Sequence, residues 1–260
     1  MLSNWIHDRL ALGLAQSAVA ASAALAVTLA ARRRGIRMMG DTTVALARGI
    51  VQIVAVGLVL AALMRGPRWT SPVLLAVMVL AAAQTSVARL KGMPGAFRAA
   101  LWSLLLGSGS VIALMVLAGV IETSVSALIP VGSMIIANAM NSNALALERF
   151  RSDVAAHTGE IESALALGAA PEATVAPYAQ NSLAAGLIPS VNNLRSLGIV
   201  WIPGLMAGMV LTGARPLEAS IYQFVVLAAI LASSGMTALI STRLMARRAF
   251  SAAEQLTLRK

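Results

Sequence analysis

The chain has 260 residues, 58% hydrophobic and only 12% charged, with mean hydropathy +0.82 and net charge +10. An ordinary soluble domain carries about 25% charged residues. Half that share, spread between apolar runs near 20 residues long, marks an all-α, polytopic helical membrane protein.

The alternation of transmembrane β-strands is absent. The positive charge does not point to nucleic acid. The basic residues sit in short clusters between apolar runs, and aromatics at 4% leave no stacking platforms. Cysteine is absent, which excludes disulfides, thiolate metal sites and cysteine catalysis.

The first apolar run, Leu10–Ala31, lacks a basic n-region and ends at Arg32-Arg33-Arg34. It reads as a retained span and not a signal peptide. The second candidate span is Val44–Met64, with Asp41, Thr42 and Thr43 placed to cap it. The third is Pro72–Leu90, with Pro72 near its start, where a missing N–H costs least. Ala99–Ile121 and Ala127–Leu147 follow, then a less defined span ending at Thr212, then Ile221–Met245. About seven transmembrane helices are expected, with six possible, in one transmembrane domain over residues 1–260.

With the N-terminus outside, the inner loops hold 14 Lys and Arg and the outer side 4, leaving Arg48 and Arg195 ambiguous. The positive-inside bias therefore places the C-terminus in the cytoplasm.

The sixth span has two readings. Pro171–Thr212 is too long for one straight crossing, and Asn192, Asn193 and Arg195 interrupt it. In the reading adopted, an interfacial amphipathic helix runs to about Leu197 and a short span starts at Gly198. In the other, the span starts near Ala184 and puts Arg195 deep in the bilayer. An unpaired charge there costs about 2.5–3.5 kcal/mol or more.

Two stretches carry candidate function. In the fifth span, Ser133, Met134 and Asn138 share a helical face that Asn141 continues. Such groups either line a polar translocation path or hold helices together. Met206 joins them as a soft side chain to test, with Met134, Met140 and Met209.

The second stretch is the polar cytoplasmic insert at about 148–183. Gly159–Leu167 reads as a short helix with Ile161, Ala164 and Leu165 on one face and Glu160 and Glu162 in its first turn. Gly168 stands at a natural C′ position, and Pro171 at the first position of a second helix. The apolar face either docks in a partner's groove or packs on its own bundle.

No G-x-x-x-x-G-K-[ST] is present, so nothing here cradles ATP phosphates. The two histidines, His7 and His157, form no ligand cluster, and no histidine falls within a span to serve a serine as base. The chain reads as no enzyme, with no cofactor and no resident metal of its own.

Glu162-Ser163-Ala164, followed by Gly168, resembles the Glu-Ala-Ala…Gly signature of ATP-binding-cassette (ABC) transporter permeases, with Ser163 replacing the second residue. Longer stretches resemble the Fet-type (FetB) iron-export permeases and the similar plant aluminium-sensitivity permeases. These are Ile129–Met140, Leu165–Pro171 and Leu187–Gln223, including Pro203-Gly204-Leu205-Met206-Ala207-Gly208.

The resemblance implies a permease subunit in the cytoplasmic (inner) membrane. It implies a homodimer paired with a cytoplasmic ABC ATPase that binds the ATP. It also implies a coupling helix, between spans five and six, carried by Glu160, Glu162, Ala164, Leu165, Gly168 and Pro171. Iron is the implied cargo, with a nucleotide sugar as the alternative. The rival from a different class is an ATP-independent secondary transporter or channel.

Overall fold

The computed structural model describes residues 9–35, 39–63, 67, 69–88, 90, 95–251 and 255–257, excepting the side chains of Arg9, Leu10, Met39 and Asp41. The cap expected from Asp41, and the loop charges Arg37, Arg65, Arg68, Arg89, Lys91, Arg259 and Lys260, lie outside the described residues. The described residues form nine α-helices and no strand. Two compact units divide the chain, Met1–Gly66 and Pro67–Lys260.

The first unit is a hairpin of α1 (Arg9–Arg33) and α2 (Met39–Leu63). None of its described side chains is buried, which suits helices that are apolar all round and face lipid. Helix α2 starts upstream of the expected cap. Thr43 therefore sits inside the first turn and bonds back to the Gly40 carbonyl at 2.9 Å.

The second unit holds α3 (Thr70–Val87), α4 (Ala96–Leu117), α5 (Val125–Ala156), α6 (Thr158–Ala166), α7 (Pro171–Ser196), α8 (Gly204–Leu211) and α9 (Pro216–Arg248). Its five long helices alternate in direction. Leu75 meets Gly132 and Ser86 meets Asn143, so α3 and α5 are parallel. Gly107 meets Thr237 and Arg248 bonds the Gly95 carbonyl, so α4 opposes α9. Gly186 lies against Ser142 and Ala146 while Tyr178 stacks on His157, so α7 opposes α5.

Small residues set these approaches. A Cβ on Gly107 would fall 2.7 Å from the Thr237 nitrogen and 2.9 Å from its Cα. A Cβ on Gly186 would fall 2.8 Å from the Ser142 carbonyl. Close helix packing of this kind is how bundles in membranes gain dispersion energy.

Among the described residues, six helices are long and apolar enough to cross a membrane: Ala11–Arg33, Thr42–Leu63, Thr70–Val87, Ala96–Leu117, Val125–Ala156 and Pro216–Arg248. The chain is thus an all-α, multi-pass protein, close to the expected count. The seventh long helix is α7, and here the adopted reading fails. Residues 171–196 form one continuous helix packed along α5 and α9, and no helix long enough to cross starts at Gly198. Helix α8 has eight residues, about 12 Å of rise, too short to cross.

Helix α7 instead runs 26 residues, roughly 39 Å, along the bundle between α5 and α9. Since α5 ends at one end of the bundle and α9 starts at the other, α7 runs back along the bundle from one to the other. Starting at Pro171 puts Arg195 exposed in the last turn, where the helix dipole favours a cation, and not at mid-depth.

The insert is also smaller than expected. Helix α5 continues unbroken through 148–156 with Phe150 fully buried, and 171–183 is already α7. Only α6 and the turn after it project.

Two apolar clusters make the core. The larger joins α3, α4, α5 and α9 around Leu104, Ile135, Ala139 and Ile230. The smaller, at the other end, packs Phe150, Val154, Ile161, Val175 and Met245.

Candidate functional site

The polar face of α5 forms as the spacing predicts, but it points outward. Ser133, Met134 and Asn138 are half-buried and Asn141 is exposed. Ser133 Oγ donates to the Pro130 carbonyl (2.8 Å) and Asn138 Nδ2 to the Met134 carbonyl (2.8 Å). Both therefore meet part of their hydrogen-bonding need within their own helix, which makes a polar helix face tolerable at membrane depth.

The face does not end at Asn141. Ala144 and Glu148 continue it, at helical spacings of three and four. There it borders a pocket of about 250 Å³ between α3 and α5, lined by Thr85, Ser86, Leu90, Met140, Asn141, Ala144 and Glu148. Among the described residues its lining offers one carboxylate, one amide, two hydroxyls and one thioether, and no cation. Oxygen and thioether donors of this kind suit a metal cation, the carboxylate supplying the charge.

In the sequence Glu148 marks only the start of the polar insert, and nothing there singles out Thr85 or Ser86. The signal for Glu148 was its register with Asn141. For the α3 hydroxyls there was none, because only the fold brings α3 to α5. Behind the pocket, fully buried Asn143 donates to Ser86 Oγ at 3.2 Å, and its Oδ1 has no hydrogen-bond partner among the described residues. Among the described residues no three His, Asp or Glu gather as a metal cluster.

Met206 stands apart from this face. It lies on α8 against α9, where its N–H donates to Gln223 Oε1 (3.2 Å) and Ser220 Oγ approaches its sulfur (3.8 Å). Gln223 is fully buried. A Cβ on Gly204 or Gly208 would have open space around it among the described residues.

The projecting turn is built as the residue pattern dictates. Gly168, at φ +87°, ends α6. Its N–H bonds the Leu165 carbonyl (2.9 Å) and the Ala169 N–H bonds the Ala164 carbonyl (3.0 Å), the paired closure of a Schellman motif. Pro171 opens α7 with Glu172 in the first turn.

The apolar face of α6 turns inward. Ile161 is 2% exposed in the smaller cluster, and half-buried Leu165 packs beside it. Ala164 is half-buried as well. Glu160 accepts a hydrogen bond from Tyr178 Oη at 3.3 Å. Tyr178 stacks on His157 at 4.8 Å, and Arg149 pairs with Asp153 at 3.1 Å. The Ile161 and Leu165 packing and the Tyr178–Glu160 bond fix α6 to the ends of α5 and α7, while the Arg149–Asp153 pair lies within α5. What faces solvent is Glu162, Ser163, Ala166 and Leu167, with Leu167 89% exposed.

Bundle, apolar surface and return helix together define a multi-pass helical membrane protein. The chain belongs to the uncharacterised protein family UPF0014, whose model matches residues 14–250.

It is 33% identical to the UPF0014 membrane protein STAR2 of Oryza sativa subsp. japonica, over 92% of this chain and 84% of that one. It is 28% identical to the protein named "Probable iron export permease protein FetB" of Escherichia coli (strain K12), over 97% and 95%. It is 27% identical to the protein ALUMINUM SENSITIVE 3 of Arabidopsis thaliana, over 94% and 90%. No solved structure matches it.

Proposed function

We propose that this chain is the permease subunit of an ABC exporter of metal cations in the cytoplasmic membrane. It works as a homodimer with a separate ATPase and is not itself an enzyme. The observation that carries this reading is the α6 turn. A nine-residue helix is clamped by its apolar face to the ends of two long helices and offers its other face to solvent. A projection so fixed transmits a push as rigid-body motion, whereas a loose loop would absorb it.

In this mechanism ATP-driven closure of the ATPase presses on Glu162, Ser163, Ala166 and Leu167. Glu160, Ala164, Leu165, Gly168 and Pro171 keep α6 joined to α5 and α7, so both helices tilt together. The outward polar face of α5, costly against lipid, is covered by the second copy, and the path runs from the Glu148 pocket along Asn141, Asn138 and Ser133.

The cargo reading rests on the relative named for iron export and on the pocket's donors. Among the described residues the pocket's charge is the Glu148 carboxylate, which attracts a cation and repels a nucleotide sugar's phosphates. Weak binding is what passage requires, because the ion must leave as well as enter.

The test is co-purification with the candidate ATPase, followed by ATP-dependent metal flux in vesicles. Flux that continues without ATP would place the chain among secondary transporters.

A further inference from the structure

A second groove lies between α7 and α9 and holds about 570 Å³. It belongs to neither the α5 face nor the α6 turn. Its residues change character with depth. At the mouth Glu172 pairs with Arg247 at 3.3 Å. One to two turns further in lie Gln180 and exposed Arg243, and Arg243 has no ion pair among the described residues. At the bottom the walls are Leu183, Leu239 and Ile240. From Arg247 to Leu239 is eight residues of helix, about 12 Å. One leaflet's hydrocarbon is roughly 15 Å deep.

We infer that this groove is a binding site for one anionic phospholipid. The two guanidinium groups hold its phosphodiester, and the leucine walls hold the upper part of an acyl chain. Charge sets the occupant. Arg243 and Arg247 against Glu172 leave one net positive charge, which a monoanionic headgroup neutralises and a zwitterionic one does not. Arginine is suited to this because its planar donors grip phosphate oxygens in pairs.

The geometry requires a lipid and not a free phosphate, because most of the side chains lining the groove are apolar. The same basic end is the one assigned to the cytoplasmic side by the charge bias, where anionic lipids are concentrated. The lipid would wedge between the return helix and α9 and hold the helix whose own sequence is the least apolar of the long seven.

The experiment is native mass spectrometry of the full chain, delipidated and then offered phosphatidylglycerol and phosphatidylcholine vesicles in equal amounts. Wild type retains phosphatidylglycerol in preference, and Arg243→Gln with Arg247→Gln lowers that retention by about tenfold or more. Glu172→Gln removes the competing carboxylate and raises retention above wild type, a gain that misfolding cannot produce. Arg215→Gln, at the other end of α9, changes nothing.

Millimolar inorganic phosphate leaves the bound lipid in place. Equal retention of the two lipids, no gain from Glu172→Gln, or displacement by inorganic phosphate would each overturn the assignment.

Discussion

Leu165 and Leu167 lie two residues apart, and the fold gives them opposite jobs. Leu165 packs on the bundle's own cluster; Leu167 is 89% exposed. Replacing each by Asp separates scaffold from docking surface. Burying a whole leucine side chain is worth about 1.5–3 kcal/mol. If Leu167 enters a cleft on the ATPase, Leu167→Asp forfeits at least that in association, about a 10- to 150-fold rise in Kd. Its stability in the free chain stays within about 0.5 kcal/mol of wild type, because nothing there is buried.

Leu165→Asp does the reverse. It puts a carboxylate beside Ile161 and Phe150 and costs stability by roughly 2–4 kcal/mol. The assays are thermal unfolding in detergent and surface-immobilised binding of the purified ATPase. Normal ATPase binding by Leu167→Asp would refute the outward face as the docking surface.

Gly168→Ala meets no steric obstacle, since nothing lies within 4 Å, so its cost is the left-handed backbone alone, about 1–2 kcal/mol. Gly168→Asn recovers part of that cost, and chemical denaturation reads both. Gly107→Val drives a branched side chain into the Thr237 backbone and separates α4 from α9, with a loss of about 3 kcal/mol or more in unfolding assays. Glu148→Gln keeps the pocket's shape and removes its charge; manganese binding followed by electron paramagnetic resonance weakens by about tenfold, while unfolding stays unchanged.

Much of the site was legible because local rules govern it. Glycine at C′ and proline at the first helical position fix the α6 turn within a few residues, whatever surrounds it. The i, i+4 spacing likewise put Ser133, Met134, Asn138 and Asn141 on one face.

The direction in which a face points is a tertiary property. Ile161 and Leu165 satisfied an apolar stripe equally well for a partner or for the bundle, and only Phe150, Val175 and Met245 decide for the bundle. Helix α7 escaped for a related reason. Its Asn, Gln and Ser residues and two internal prolines lower its hydropathy below that of a lipid-facing span. Flanked by α5 and α9 it needs less apolar surface, and that shelter is invisible in the sequence. Thr85, Ser86 and Glu148 meet across two helices far apart in the chain, so no spacing could have joined them.

In the proposed mechanism a push on α6 moves a cation along α5. The most direct measurement is metal flux across proteoliposomes that hold this chain with its ATPase. Export should require ATP. It should be abolished by Leu167→Asp and slowed by Glu148→Gln in vesicles where both variants fold. Flux that is equal with and without ATP, or unaltered by Leu167→Asp, would contradict it.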